Sequence, residues 1–481
     1  MIVSSVSASG TSLPRRKVDF DSNVFSVIAQ IFACGDIFTK LSFLIFGLSN
    51  LVRGQIIKGL IFLGTEVAFF VYLFEGLGAF CGIRDLKGLI TLGTVESTTR
   101  LVEHPELGMV EETVYGDDSS MFLLYGVVAV LILSAFILLW KANVKSAYIA
   151  QYAVERGKKP VSIFRDIMAL FDKNLHNTLL FFPLVGILAF SITPLIYMIL
   201  AAFTNYDKVH NGKNQTFDWV GLKNFSEVLG QGGTYGTTFW RILGWTIIWA
   251  IFATFLCYIG GMLLAMLINR KGLKFKSFWR TMFVMSVAVP QFVTLLTMRT
   301  FIQTNGTLDT LCRSLGIIGE KATLGLLETP LNARISVILV NCWVGIPYTM
   351  LIMTGILMNI PADLYESAKI DGANKYVMFF KITLPYMIFV TTPHLIQQFI
   401  GNINNFNVIY LLTGGGPNLD PTMYQSGSTD LLVTWLYKIT LEKSDYCFAS
   451  AIGICVFIIC ATFSLITYRR SGSYKNEEEF Q

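Results

Sequence analysis

Long apolar runs broken by short polar stretches set the pattern of this chain. Eight runs reach the roughly 20 residues that a helix needs to cross a bilayer. They are 56–76, 121–141, 179–203, 240–268, 278–303, 335–357, 386–411 and 449–468. Backbone groups in lipid must pair within their own segment, so runs of this length are expected to be helices. The short alternating segments of an outer-membrane barrel are not what these runs look like. The pattern therefore predicts an all-α, polytopic membrane helical bundle with about eight transmembrane helices. Val24 to Leu51 is also apolar, but Asp36, Lys40 and Gly47 interrupt it. It reads as an interfacial helix and a re-entrant piece. The alternative, an extra span, would upset the even count.

Composition agrees. Of 481 residues 53% are hydrophobic and only 14% charged, with a mean hydropathy of +0.57, which argues against soluble domains. The net charge of +5 matters less than its placement. Lys141, Lys145, Arg156, Lys158, Lys159, Arg165 and Lys173 lie between the second and third runs. Arg270, Lys271, Lys274, Lys276 and Arg280 crowd the turn after the fourth, and Arg469 and Arg470 follow the last. The loop between the first two runs instead carries Glu96, Glu103, Glu106, Glu111, Glu112, Asp117 and Asp118. Lys and Arg concentrate on the cytoplasmic side of membrane proteins. That rule places both termini, the 142–178 linker, the 269–277 turn and the Tyr365–Pro385 segment inside a multi-pass protein of the cell membrane, and an even number of spans fits. The basic clusters flank spans without any nucleic-acid motif, so no nucleic-acid partner is expected. The first 20 residues lack the apolar core of a signal peptide and read as a short disordered cytoplasmic tail.

Chemistry is sparse. The eight cysteines form no C-x-x-C pair, and four histidines without H-E-x-x-H supply no evident metal ligands. L-T-G-G-G-P-N (Leu412 to Asn418) lacks the lysine and the Ser/Thr of a phosphate-binding loop, and reads as a tight turn that ends a helix before Pro417. No nucleotide-binding signature occurs anywhere. If the chain drives uphill transport, its energy must come from another polypeptide.

The most informative polar stretch is Y-E-S-A-K-I-D-G-A-N-K-Y-V-M-F-F-K-I-T-L-P (Tyr365 to Pro385), set between two apolar runs. Pro361 suits a first helical position. Asp363 and Glu366 favour the start of a helix through its dipole, and Gly372 breaks it. A second short helix is expected to open at Ala373, with Phe379, Phe380 and Ile382 packing back on the bundle. Glu366, Lys369, Asp371 and Lys375 are expected at the tip. The spacing E-S-A-x-x-D-G-A followed by F-x-x-I-x-L-P resembles the EAA loop of ABC-importer permeases, with Ser367 where alanine is usual. The resemblance implies that Glu366, Ala368, Asp371, Gly372 and Ala373 meet the cleft of an ATPase subunit.

The resemblance extends over most of the chain. L-T-G-G-G-P, Ser428 to Glu442, G-I-P-Y (Gly345 to Tyr348) and N-I-N-N-F (Asn402 to Phe406) are similar to the MalF-type permeases of carbohydrate ABC importers. That family implies a type I importer (MetI-like) core of six spans after two others, and so four regions. These are a tail and interfacial segment at 1–55, two helices with an acidic external loop and a basic linker at 56–178, the core at 179–468 with its EAA loop at 361–385, and a tail at 469–481. It implies a second, MalG-like permease chain, two ATP-binding subunits and an extracellular sugar-binding protein as partners, in membrane lipid. It implies no cofactor on this chain, because ATP is bound by the partner ATPases. The cargo implied is an oligosaccharide, with maltose or maltodextrin favoured. Enteric members carry a large external domain where this chain has only Asn205 to Phe239, so contacts made by that domain are in doubt.

A sugar site needs amides, hydroxyls and flat apolar faces. Gln398, Asn402 and Asn405 fall at helical spacing on the seventh run, and Gly345 and Tyr348 lie on the sixth. In maltose permeases the positions matching Gly345, Tyr348, Gln398, Gly401, Asn402 and Asn405 line the sugar pocket. Gln398 and Gly401 replace the commoner serine and phenylalanine. Hydrogen bonding between helices is the open alternative for the amides. Two other functions also stay open. An ion-coupled secondary sugar transporter needs buried carboxylates, for which Glu66 and Glu75 are the candidates. A membrane-embedded enzyme needs a cluster of acids, and none is evident.

Overall fold

The computed structural model describes residues 18–470 except 21, 77–79, 94–97, 105–107, 115–117, 212–215, 271 and 419. The tails expected at 1–17 and 471–481 lie outside the described residues, as do Glu96, Glu106, Asp117 and Lys271 of the charge clusters. Contacts divide the chain into two compact units, Met1–Leu200 with Val209–Trp219, and Ala201–Lys208 with Val220–Gln481. Among the described residues seven helices are long and apolar enough to cross a membrane, or eight if one sharply bent pair counts as a span.

The first unit opens with three short helices, α1 (Val24–Cys34), α2 (Ile37–Leu41) and α3 (Leu48–Val52). With 11 residues, α1 cannot cross a bilayer, so the extra span is absent. Asp36 caps α2 by accepting from the Thr39 backbone N–H at 2.8 Å, and it pairs with Arg53 at 2.5 Å. The spans α4 (Ile56–Phe74) and α6 (Ser119–Glu155) hold this knot, with the amphipathic α5 (Gly82–Ile90) between them. Buried Asn143 of α6 accepts from Gly47 N–H at 2.8 Å and donates to Ser42 C=O at 2.7 Å. Gly47 sits at φ +74, and a Cβ there would lie 2.1 Å from the Gly59 carbonyl oxygen, so only glycine fits this crossing. Glu66, a candidate ion-coupling carboxylate, is buried and accepts the Phe46 N–H at 2.8 Å. That bond gives the carboxylate a structural partner within the first unit.

The fold is the expected all-α helical bundle, and the acidic loop adds one small local element to it. The loop holds an antiparallel hairpin, β1 (Thr98–His104) and β2 (Gly108–Val114), in register from Thr98↔Val114 to His104↔Gly108. After α6 comes the linker helix α7 (Ile163–Phe171), then α8 (Leu175–Ile187), a π-helical turn at Leu188–Ile192 and α9 (Thr193–Ala201).

The second unit begins with a short helix, α10 (Lys223–Leu229), and is organised around the 36-residue α11 (Thr234–Asn269). The fifth run is not one straight helix. It folds as α12 (Lys276–Ala288) and α13 (Gln291–Ile302), bent by 89° at Val289–Pro290, where proline offers no N–H and disfavours a helical residue before it. α14 (Thr307–Ser314) follows, then α15 (Pro330–Met358), capped by the Thr329 side chain. α11 and α15 approach closely because small residues line their contact. A Cβ on Gly261 would meet Thr349 Cβ at 2.6 Å, and one on Gly260 would meet Ile346 Cδ1 at 2.7 Å.

Two short helices, α16 (Ala362–Ile370) and α17 (Lys375–Met378), lead through a π-helical turn at Phe379–Thr383 into α18 (Leu384–Ile403). The seventh run also breaks, because Asn404 and Asn405 separate α18 from α19 (Phe406–Leu412). α20 (Leu432–Lys438), a π-helical turn at Ile439–Lys443 and the last span α21 (Tyr446–Arg470) complete the unit.

Candidate docking hairpin and translocation path

Helix α16 ends in a Schellman motif. Ala373 N–H donates to Ala368 C=O at 2.9 Å and Gly372 N–H donates to Lys369 C=O at 3.0 Å, with Gly372 at φ +77. Those bonds satisfy the last carbonyls and fix the direction in which the chain leaves. α17 opens at Lys375, two residues later than the expected Ala373, because the Asn374 side chain accepts the Val377 N–H at 2.9 Å and makes Asn374 the cap. Pro361 likewise sits just before the first helical residue instead of inside the helix.

The base of this hairpin is held firmly. Tyr365, Phe379 and Ile382 pack on a core of Tyr258, Met262, Met350, Met353 and Met387 from α11, α15 and α18. Tyr365 Oη lies 2.8 Å from Thr383 Oγ1, tying α16 to the foot of α18. Phe380, expected to pack inward, is 59% exposed. Glu366, Lys369, Asp371, Gly372 and Lys375 are exposed, and Ala368 and Ala373 are half-buried. Beside these charges Ile370 is 86% and Tyr376 78% exposed. Large apolar groups displayed together on a polar loop mark a protein-binding surface.

The six candidate path residues are not gathered into one stripe. Gln398 and Asn402 are one turn apart on α18, but Asn405 does not continue their face, because α18 ends at Ile403. Asn402 is buried against α11. Its Nδ2 donates to Thr254 Oγ1 at 2.9 Å, and its carbonyl accepts from Trp249 Nε1 at 3.0 Å. Asn405 caps α19 by accepting the Val408 N–H at 3.2 Å. Gly345 lies at the α11–α15 contact, where a Cβ would meet Cys257 Sγ at 2.6 Å, and Gly401 is exposed beside open space.

Tyr348 and Gln398 show a different face. Tyr348 is 51% exposed, and its ring centroid is 6.5 Å from that of His394, one helical turn before Gln398 on α18. His394 Nε2 and Gln398 Oε1 are buried and have no hydrogen-bond partner among the described residues. Such atoms are costly in a membrane interior unless a cavity, a ligand or another conformation supplies a partner. His394 was passed over in the sequence because it matched no metal pattern. Its i, i+4 relation to Gln398 was the available signal.

The turn after α19 is tied to the segment before α20. Thr413 Oγ1 meets Thr429 Oγ1 at 2.8 Å, and Gly414 and Gly415 take positive φ, as the glycine-rich turn requires. Beneath it Asp430, fully buried, accepts from Lys438 Nζ at 2.7 Å, Gly427 N–H at 2.7 Å and Thr434 Oγ1 at 2.9 Å. Nearby a cleft of about 580 Å³ is lined by Arg241, Arg334, Asp420, Ser426 and Ser428. Arg334 donates to Ser428 C=O at 2.8 Å and stacks over Trp245. Hydrogen bonds from the Thr422 side chain and backbone, with Arg241 alongside, hold the Asp420 carboxyl below its ordinary range.

Comparison with known proteins places this architecture. The family profile described as "Binding-protein-dependent transport system inner membrane component" matches residues 258–472. The chain is 32% identical over 434 residues to the galactooligosaccharides transport system permease protein GanP of Bacillus subtilis, covering 90% of this chain and 96% of that one. It is also 32% identical over 441 residues to the maltodextrin transport system permease protein MalC of Streptococcus pneumoniae, covering 90% and 95%. The maltose/maltodextrin transport system permease protein MalF of Escherichia coli is 35% identical over 279 residues, 57% of this chain and 53% of that one. The chain belongs to the binding-protein-dependent transport system inner membrane component family, as a permease of the MalF type.

Proposed function

We propose that this chain is one of two membrane-spanning permeases in an ATP-driven importer of a maltodextrin-type oligosaccharide. The second permease is MalG-like. Two ATP-binding subunits dock from the cytoplasm, and an extracellular binding protein delivers the sugar. Both termini are cytoplasmic, and the chain itself carries out no covalent chemistry and holds no cofactor. The observation that carries this reading is the α16–α17 hairpin, anchored at its base and apolar at its exposed tip. A motorless permease needs such a surface, because packed elements pass on a partner's movement as rigid-body shifts. Glu366, Ala368, Asp371, Gly372 and Ala373 form the surface that meets the ATPase. Closure of the ATPases on ATP opens the spans outward, and hydrolysis returns them inward.

The sugar path passes Tyr348, Gln398 and Gly401, with Gly345 and Asn402 shaping it from the α11 side and Asn405 from the start of α19. Support for a maltodextrin cargo comes from MalC, and the equal identity to GanP makes galactooligosaccharides the competitor. Uptake of labelled maltotriose and of a galactooligosaccharide by a deletion strain carrying this chain decides between them. Glu366→Lys and Gly372→Pro are expected to abolish uptake and sugar-stimulated ATPase activity. Normal values of both in an assembled complex, or mapping of Gly372 to the outside of the cell, would refute the coupling role.

A further inference from the structure

The linker helix α7 has a face that the transport function does not use. Phe164, Ile167, Met168 and Phe171 recur at i, i+3, i+4 and i+7, so they form one stripe. All four are exposed, by 67, 45, 70 and 69%. α7 and the chain leading into it are tied down, with Asp166 on the side away from the stripe. Lys58 Nζ pairs with Asp166 at 2.8 Å, Gln55 Nε2 donates to Val161 C=O at 2.6 Å, and Thr178 Oγ1 donates to Leu170 C=O at 2.8 Å. The stripe therefore cannot turn inward without breaking these bonds.

Two features of the surroundings name the occupant. First, only Asp172 to Asn174 separate α7 from α8. The first turns of α8 expose Leu179, Leu180, Phe181 and Phe182, so apolar surface runs on from α7 onto a span. Second, residues 156–173 hold five basic side chains (Arg156, Lys158, Lys159, Arg165 and Lys173) against two acidic ones (Asp166 and Asp172). Among the described residues Lys158, Lys159, Arg165 and Lys173 have no acidic partner.

Between the start of α4 and the start of α7 lies a cleft of about 560 Å³, whose lining includes Arg53, Lys58, Lys159, Ile56, Ile57 and Phe164. Asp36 and Asp166 neutralise Arg53 and Lys58, which leaves the Lys159 charge uncompensated. A cleft whose lining sets Lys159 with Ile56, Ile57 and Phe164 suits a group with an anionic head and a hydrocarbon tail.

We propose that α7 lies in the inner leaflet as an interfacial helix, and that the Lys159 cleft binds the phosphate of an anionic glycerophospholipid. The inner-leaflet position rests on the topology proposed above. A free phosphate shares the head chemistry but gains nothing from Ile56, Ile57 and Phe164.

The test uses the assembled transporter in nanodiscs of phosphatidylcholine with phosphatidylglycerol, followed by native mass spectrometry of the retained lipid. Phosphatidylglycerol is expected to be retained over phosphatidylcholine, and Lys159→Gln is expected to lower that preference about fivefold, the scale of one basic residue at an anionic surface. Phe164→Ser with Met168→Ser is expected to lower retention of both lipids. Inorganic phosphate in excess is expected to displace neither. Equal retention of the two lipids, or displacement by inorganic phosphate, overturns the lipid site. Ser162→Cys separates this from the topology: labelling by an impermeant maleimide above the parent's background is expected only in inside-out vesicles. Labelling from the outside overturns the inner-leaflet position, while the lipid preference is read independently of it.

Discussion

Lys438→Met is the sharpest perturbation this structure offers. Asp430 is fully buried, and the Lys438 side chain is 10% exposed at 2.7 Å from it. Taking away one member of a buried ion pair leaves an uncompensated charge and typically costs about 3–5 kcal/mol. Here Gly427 N–H and Thr434 Oγ1 still donate to the carboxylate, so the lower end, about 3 kcal/mol, is expected. Asp430→Asn together with Lys438→Met removes both charges and should cost about 1 kcal/mol or less. The assay is a double-mutant cycle in reversible unfolding of the purified permease in mixed micelles. Asp430→Asn alone leaves the buried Lys438 charge without its partner and should also cost about 3 kcal/mol, so a coupling energy of about 5 kcal/mol is expected.

Acid adds a second check. Burial holds the Asp430 carboxyl above its ordinary value of 3.8, against the pull of Lys438 and its hydrogen-bond donors. A folded-state pKa above the unfolded one means that the folded chain holds the proton more tightly. The stability this contributes is therefore complete below the unfolded value and is lost as pH rises through the folded one. Without Lys438 the folded value climbs further, so the Lys438→Met penalty should shrink on acidification. Additive single-mutant costs, or a penalty that grows in acid, would refute the idea that this pair clamps the external turn.

Three further outcomes follow from the same geometry. Gly415→Ala and Gly372→Ala impose the same left-handed strain, about 1–2 kcal/mol. At φ +87 the new Cβ of Gly415→Ala would also lie 2.0 Å from Asp430 Oδ1, whereas Gly372, at φ +77, has open space, so thermal unfolding should rank Gly415→Ala clearly the worse. Gly345→Leu should force α15 away from Cys257 at a cost of about 1–3 kcal/mol and lower the yield of assembled complex, while an intact complex of wild-type stability would contradict the close contact. Gln398→Leu should cut sugar uptake at least about tenfold and leave folding unharmed, because its buried Oε1 has no partner to lose among the described residues; unchanged uptake would remove Gln398 from the path.

Which features could be read from the sequence follows from how local their causes are. The Schellman end of α16 depends on residues within six positions, so Gly372 announced it. The spans depend on run length alone, and that is why most survive. The two broken spans are different. Val289–Pro290 and Asn404–Asn405 sit inside runs whose average hydropathy is high, and an average hides one proline or two asparagines. Asn405 signalled its capping role by type, but its spacing from Gln398 and Asn402 suggested a continuous helix instead. Asn402 turned toward α11 because Thr254 and Trp249 offer partners there, a tertiary fact that no local pattern encodes. Glu66 is the reverse case. A carboxylate in a span reads as functional until the Phe46 N–H that it accepts is seen.

The hairpin and the path residues belong to one mechanical element, and that bears on how coupling works. Tyr365 and Thr383 tie α16 to the foot of α18, and Tyr258 Oη meets Thr391 Oγ1 at 2.8 Å one third of the way up it. His394 and Gln398 follow within two turns, and the helix then stops at Ile403. A push on the hairpin thus reaches the candidate path through a single helix of 20 residues, about 30 Å long. The interruption at Asn404 and Asn405 separates this helix from α19 and from the glycine-rich turn above the Asp430–Lys438 pair. The two asparagines make this interruption with side-chain bonds: Asn404 Nδ2 donates to Ile400 C=O at 3.2 Å and Asn405 Oδ1 accepts the Val408 N–H at 3.2 Å. The buried atoms without partners among the described residues, His394 Nε2 and Gln398 Oε1, lie on the α18 side of that interruption, on the same helix as the foot that Tyr365 holds.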